Sequence, residues 1–192
     1  MSPIDTTVTQ LLARLAAGEI HVENELFGLV YRDLRRMAQR YMRAERRDHT
    51  LQATALVHET YLRMLKGSEL KLQNRSHFFA IASKAMRRVL VDHARGLNAK
   101  KRSGNKISLE SAIVFSPEQC GELLALDEAL KRLAALDPQQ AQIIEMRFFG
   151  GLTLEAIAEL LSVSVRTVKR DWSMARAWLL GELTNGQAHE DG

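Results

Sequence analysis

The 192-residue sequence predicts an all-α protein of two helical domains, and three observations carry that expectation. Apolar residues recur at spacings of three and four along nearly every segment, the period of amphipathic helices. No segment shows the strict alternation of a strand, and neither an internal repeat nor a low-complexity tract is present. One stretch, LNAKKRSGNKISLESAIVFSPEQCGE, holds Gly104, Pro117 and Gly121 and has no helical period, so it reads as an exposed linker. The expected organisation is a first domain over 1–97, a flexible linker over 98–122, a second domain over 123–184 and a disordered tail over 185–192.

The elements follow in order. A first helix covers Val8–Ala17 and ends at Gly18. The second, Val22–Arg43, places Leu26, Leu29, Val30, Leu34, Met37, Ala38 and Tyr41 on one stripe, with its arginines elsewhere. A third spans Thr54–Lys66, where Val57, Tyr61 and Leu65 share a face and Gly67-Ser68 forms the stop. A polar loop, GSELKLQNRS, leads into Ser76–Gly96. Beyond the linker, Leu123–Leu136 is amphipathic, and Asp137-Pro138 opens a helix that runs to Phe149 and stops at Gly150-Gly151. Thr153–Leu161 and Val165–Glu182 complete the second domain.

Composition excludes several function classes. At 46% hydrophobic and 26% charged, the chain is ordinary for a soluble protein, and no apolar run approaches the roughly 18 residues of a membrane span. The N-terminus lacks a basic start followed by a long apolar core, so a cytoplasmic location without membrane association is expected. The single cysteine, Cys120, allows no internal disulfide and reads as incidental. His58-Glu59 is followed by Leu62 rather than histidine, and His49, His58, His77 and His93 have no ligand spacing. No phosphate-binding Gly-Lys-Ser/Thr loop or Gly-x-Ser-x-Gly elbow occurs. No enzyme, metal site or cofactor is therefore expected. The net charge of +4 is uneven: eight Lys or Arg against Asp92 alone between Lys84 and Lys106, then seven acids against three bases between Glu122 and Glu159. A basic segment of this kind suits a polyanionic partner.

The sharpest local pattern is TLEAIAELLSVSVRTVKRDWSMARAWLL, which has helix-turn-helix spacing. Leu154, Ile157, Ala158 and Leu161 form the buried face of its first helix, Val163 fills the turn, and Val165, Val168 and Trp172 anchor the second helix. Ser164 is placed to cap that helix, and Ser162 stands where such turns often carry glycine. Ser164, Arg166, Thr167, Lys169, Arg170 and Ser173 then face outward, the residue types that reach phosphates and base edges. In SHFFAIASKAMRRVLVDHAR, Phe79, Ala82, Met86, Val89 and Leu90 face a core, while Ser83, Lys84, Arg87, Arg88, His93 and Arg95 form a basic surface. Phe78 either packs internally or offers a face on which an unpaired base stacks.

TALVHETYLRM, then FFAIASKAMRRVLVDHAR, then a basic linker and a terminal helix-turn-helix together resemble an extracytoplasmic-function (ECF) sigma factor of bacterial RNA polymerase over about Glu23–Leu183. The resemblance implies two helical domains, sigma regions 2 and 4, and an alternative sigma factor that binds core polymerase and promoter DNA. It implies that Val57, Glu59 and Arg63 dock on the β′ clamp helices. It implies further that Asn74 and Phe78 help capture the melted −10 element while Lys84, Arg87, Arg88 and Arg95 hold its backbone. The outward row from Ser164 to Ser173 would read the −35 duplex. An anti-sigma partner has no specific signal. The competing reading is a two-domain helix-turn-helix regulator that acts without polymerase.

The chain departs from the family pattern in one place. Where many members carry an Asp-Ala-Glu-Asp run before Leu-Val-x-Glu, this chain has Gln52-Ala53-Thr54-Ala55. Acids there oppose the helix dipole and meet basic groups on the polymerase. Thr54, read as the helix start, is the residue through which a Ser/Thr protein kinase would restore the charge, with Thr50 and Thr60 as lesser candidates.

Overall fold

A computed structural model of the chain describes residues 3–41, 49–66, 74–102 and 117–190. These form eight α-helices and no strand among the described residues: α1 Pro3–Ala16, α2 Glu23–Tyr41, α3 His49–Lys66, α4 Arg75–Arg102, α5 Pro117–Leu136, α6 Pro138–Ile144, α7 Leu154–Leu161 and α8 Val165–Glu190. A 3₁₀ turn, Ile20–Val22, leads into α2, and a π-helical turn, Glu145–Phe149, follows α6. Arg43, the Gly67-Ser68 stop, loop residues 69–73 and linker residues 103–116 lie outside the described residues.

The first domain forms because each helix buries the stripe its sequence predicts. Leu26, Val30, Leu34, Met37 and Ala38 of α2 are buried, as are Phe79, Ala82, Met86, Val89 and Leu90 of α4. The antiparallel α2 and α3 are tied by the Tyr61 hydroxyl, which donates to the Glu23 carbonyl at 3.1 Å. Burial, with Glu23 nearby, pushes that hydroxyl up to about 12, so it stays a donor.

Helix α3 starts earlier than the sequence reading placed it. Ala53, fully buried, continues the Leu56, Val57, Tyr61 and Met64 stripe backwards, and the helix extends to His49. Thr54 is thus an interior residue and does not cap α3. Helix α4 likewise runs through Gly96 to Arg102, and α5 begins at Pro117, so both ends of the expected 98–122 linker are helical. At the C-terminus α8 continues to Glu190, across most of the stretch expected as a disordered tail.

The second domain is held by local signals that the sequence displays. Asp137 accepts a bond from the Gln140 amide at 2.9 Å and Pro138 occupies the first position of α6. Asp171, 4% exposed, accepts from Gln139 at 2.8 Å and ties α6 to α8. The two domains are not separate bodies on a tether: one continuous apolar cluster runs from Val8 to Leu179, and α4 lies against both α5 and the π-turn.

Glycine makes that junction close. A Cβ on Gly150 would overlap Ser83 Oγ of α4, and Gly151, at φ +63, lies against the Arg40 guanidinium of α2. Beside them the Tyr41 hydroxyl donates to the Phe148 carbonyl at 2.6 Å, and the Tyr41 ring stacks on Phe149 with centroids 5.4 Å apart. Burial raises the Tyr41 hydroxyl far above its ordinary range, which keeps it a donor.

Candidate nucleic-acid interface

The helix-turn-helix is built as the sequence predicts. Thr153 caps α7 by accepting from the Ala156 amide at 3.2 Å. Ile157 and Ala158 are buried against Val168 of α8, while Leu154, Leu161, Val163, Val165 and Trp172 pack around them. Ser162 takes the left-handed conformation at φ 54, ψ 40, where a side chain costs about 1–2 kcal/mol. Ser164 Oγ accepts from the Thr167 amide at 3.0 Å and also meets the Thr167 hydroxyl at 2.8 Å. Ser164, Arg166, Lys169, Arg170 and Ser173 are exposed along one side of the first turns of α8, with Thr167 half-buried among them. Arg170 also pairs with Asp171 at 2.8 Å and keeps 67% of its side chain exposed. Thr167 is engaged by the cap and the Ser173 hydroxyl donates to the Lys169 carbonyl at 2.9 Å, which leaves Arg166, Lys169 and Arg170 as the exposed cations of this side.

The basic face of α4 is divided. Lys84 and Arg88 are exposed. Arg87 is 17% exposed, and its guanidinium reaches Asp127 Oδ1 at 2.7 Å and Glu145 Oε1 at 3.0 Å. Arg95 reaches Asp127 Oδ2 at 3.1 Å and Glu128 at 3.5 Å. Lys131 meets the same Asp127 at 3.0 Å. Burial alone would raise the Asp127 carboxyl, but hydrogen bonds from Lys131 and Arg87 outweigh it and hold it below the usual carboxylate range.

Asn74 and Phe78 have structural duties. Asn74 Oδ1 accepts from the His77 amide at 2.9 Å, the bond of an N-cap at the head of α4. Phe78 is 1% exposed and meets Phe79 edge-to-face with centroids 5.2 Å apart, so no base reaches its ring in this conformation.

On α3, Val57 is fully buried and presents no side chain to a partner. Glu59 accepts from His93 Nε2 at 2.9 Å, and Arg63 pairs with Asp92 at 2.7 Å, both partners being on α4. Leu62, 56% exposed, lies on the face that Glu59 and Arg63 share at helical spacing. Thr60 is fully buried, with Oγ1 lacking a hydrogen-bond partner. Thr54 is half-buried, with Oγ1 3.5 Å from Tyr31 Oη. Thr50 is the second residue of α3.

The family model described as ECF sigma factor matches residues 5–185. The chain belongs to the ECF sigma factor family. No curated protein and no solved structure matches it at a significant level. This sigma factor directs transcription initiation, with RNA polymerase core and promoter DNA as its partners. No helix among the described residues is long and apolar enough to cross a membrane, and no group of three candidate metal ligands occurs among them.

Proposed function

We propose that this sigma factor divides its work among three surfaces. Helix α3 docks on the β′ clamp helices through Glu59, Leu62 and Arg63, with Val57 supporting the face from below. Helix α4 holds the melted −10 strand through Lys84, Arg88, Arg87 and Arg95, and Asn74 fixes the helix start from which the preceding loop departs. The −35 duplex is read by α8 from the major groove. The capped helix-turn-helix with its outward row of Arg166, Lys169, Arg170 and Ser173 carries this reading, because cap, left-handed turn and exposed polar row occur together. A cytoplasmic location follows from the same role.

The α3 surface lacks the acids that many family members carry before Leu-Val-x-Glu, and a kinase supplies them in this reading. Because Thr54 is the sixth residue of α3, a phosphate there gains little from the helix N-terminus, whose effect fades within the first turn. Its effect is to place about −1.5 to −2 charge on the flank of α3 that faces α2 and to displace the Thr54–Tyr31 contact. Thr50, in the first turn, is the alternative acceptor. Thr60 is too buried for a kinase. Run-off transcription with purified core polymerase tests the reading with unmodified, kinase-treated, Thr54→Ala and Thr50→Ala proteins. Kinase treatment should raise core binding and transcription at least tenfold, and Thr54→Ala should abolish the gain. Full activity of unmodified protein would remove the phosphorylation step and leave the sigma-factor reading intact.

A further inference from the structure

Two consecutive residues of α4 hold two charged residues of α3 that stand one helical turn apart. His93 Nε2 donates to Glu59 Oε2 at 2.9 Å, and Arg63 Nη2 pairs with Asp92 Oδ2 at 2.7 Å. Glu59 and Arg63 lie on one side of α3 at helical spacing, with the exposed Leu62 beside them.

The backbone beneath these pairs is fixed by core packing. Leu90, Val91 and Ala94 flank the α4 members and are buried, as are Thr60, Tyr61 and Met64 around the α3 members. Arg63 Nη1 is buried without a hydrogen-bond partner, so the pairing of Nη2 with Asp92 sets the direction of the guanidinium. Each pair leaves its α3 member open to a further contact. The Glu59 side chain is 44% exposed and gives Oε2 to His93, while Arg63 is 39% exposed and has five N–H donors to share. Half-exposed pairs of this kind add little to the stability of the fold. What they supply is direction, because long side chains that are already ordered lose less rotamer freedom when a partner arrives.

We propose that Asp92 and His93 are positioning residues for polymerase docking, which aim Arg63 and Glu59 at the core enzyme before it arrives. The proposal rests on the docking of α3 on the β′ clamp helices. Helix α4 then serves docking as well as the DNA strand.

Fluorescence anisotropy of the labelled full chain, titrated with purified core polymerase and no DNA, tests the proposal. His93→Leu fills similar space without a donor, and Asp92→Ala removes the acceptor. Each should weaken core affinity about three- to tenfold, the effect of leaving one long side chain to be ordered at docking. His93→Gln restores a donor and Asp92→Asn an acceptor, and both should bind core within about twofold of wild type. In a Glu59→Ala background His93→Leu should have no further effect, nor should Asp92→Ala in an Arg63→Ala background. Asp92 is half exposed, so Asp92→Ala keeps the test open should His93→Leu not fold.

Unchanged core affinity in His93→Leu and Asp92→Ala would overturn the proposal, as would losses that persist in full without Glu59 or Arg63. A loss in Glu59→Ala with none in His93→Leu or Asp92→Ala removes the positioning role and leaves the docking reading in place. Unchanged affinity in both Glu59→Ala and Arg63→Ala removes the docking reading itself, and the positioning role with it.

Discussion

Ser162 and Phe78 show how far single residues can be read. Ser162 is marked by its place between two amphipathic helices, and its left-handed backbone confirms that the turn tolerates a side chain. Ser162→Gly should therefore raise stability by about 0.5–1 kcal/mol, the relief of left-handed strain less the entropy glycine adds to the unfolded chain. Thermal melting checks this, and an unchanged or lowered midpoint would show that the turn stores no strain. Ser164 was equally legible because its cap bond spans only three residues. Phe78 was not. Periodicity assigns one face to a core, but α4 is enclosed by α3 on one side and by α5 and the π-turn on another, so the adjacent Phe78 and Phe79 are both buried. The pairing of Arg87 was invisible for the same reason: its partners lie 40 and 58 residues away.

At the scale of elements, nearly all helices were legible from their stripes, and the errors lie at their ends. Helix α3 begins at His49 because Ala53 extends its buried stripe by another turn, and the run Gln52-Ala53-Thr54-Ala55 has no large apolar residue to mark that turn in sequence. That extension moves Thr54 from cap to helix interior and changes how a phosphate there would act. Helix α4 passes through Gly96 because a single exposed glycine costs a helix only about 1 kcal/mol. The π-turn has no sequence signature, yet it brings Glu145 to Arg87. Within the helix-turn-helix, Ile157 is fully buried where α7 crosses α8. Ile157→Ala should cost about 2–5 kcal/mol and release the second domain first, measured by chemical denaturation with Trp172 and Trp178 as reporters. A loss below about 1 kcal/mol would mean that the crossing is not packed as described.

The charge asymmetry along the chain was legible from the start, and in the whole molecule it resolves into contact: the basic run of α4 meets the acids of α5 and the π-turn. What sequence left open was that this contact closes the molecule. It also makes stability depend on acid. The Asp127 carboxyl is held below its ordinary value among Arg87, Arg95, Lys131, Glu128 and Glu145. A carboxyl depressed in the folded state adds stability that is fully present above its unfolded value of about 4 and is lost as pH falls through the folded one. Melting temperature should therefore drop below about pH 4, and Asp127→Asn should flatten that drop while lowering stability at neutral pH. An identical acid profile in the variant would place the acid sensitivity elsewhere.

On the proposed function, promoter recognition by this ECF sigma factor belongs to its complex with polymerase and not to the free chain. The most direct measurement is an electrophoretic shift of duplex promoter DNA with and without core RNA polymerase, using wild type and Lys169→Ala. A sequence-specific shift is expected only with core polymerase, and the Lys169→Ala complex should be weakened across sequences with a salt dependence reduced by about one phosphate contact. Strong, sequence-specific binding by the free protein, undiminished without polymerase, would contradict it.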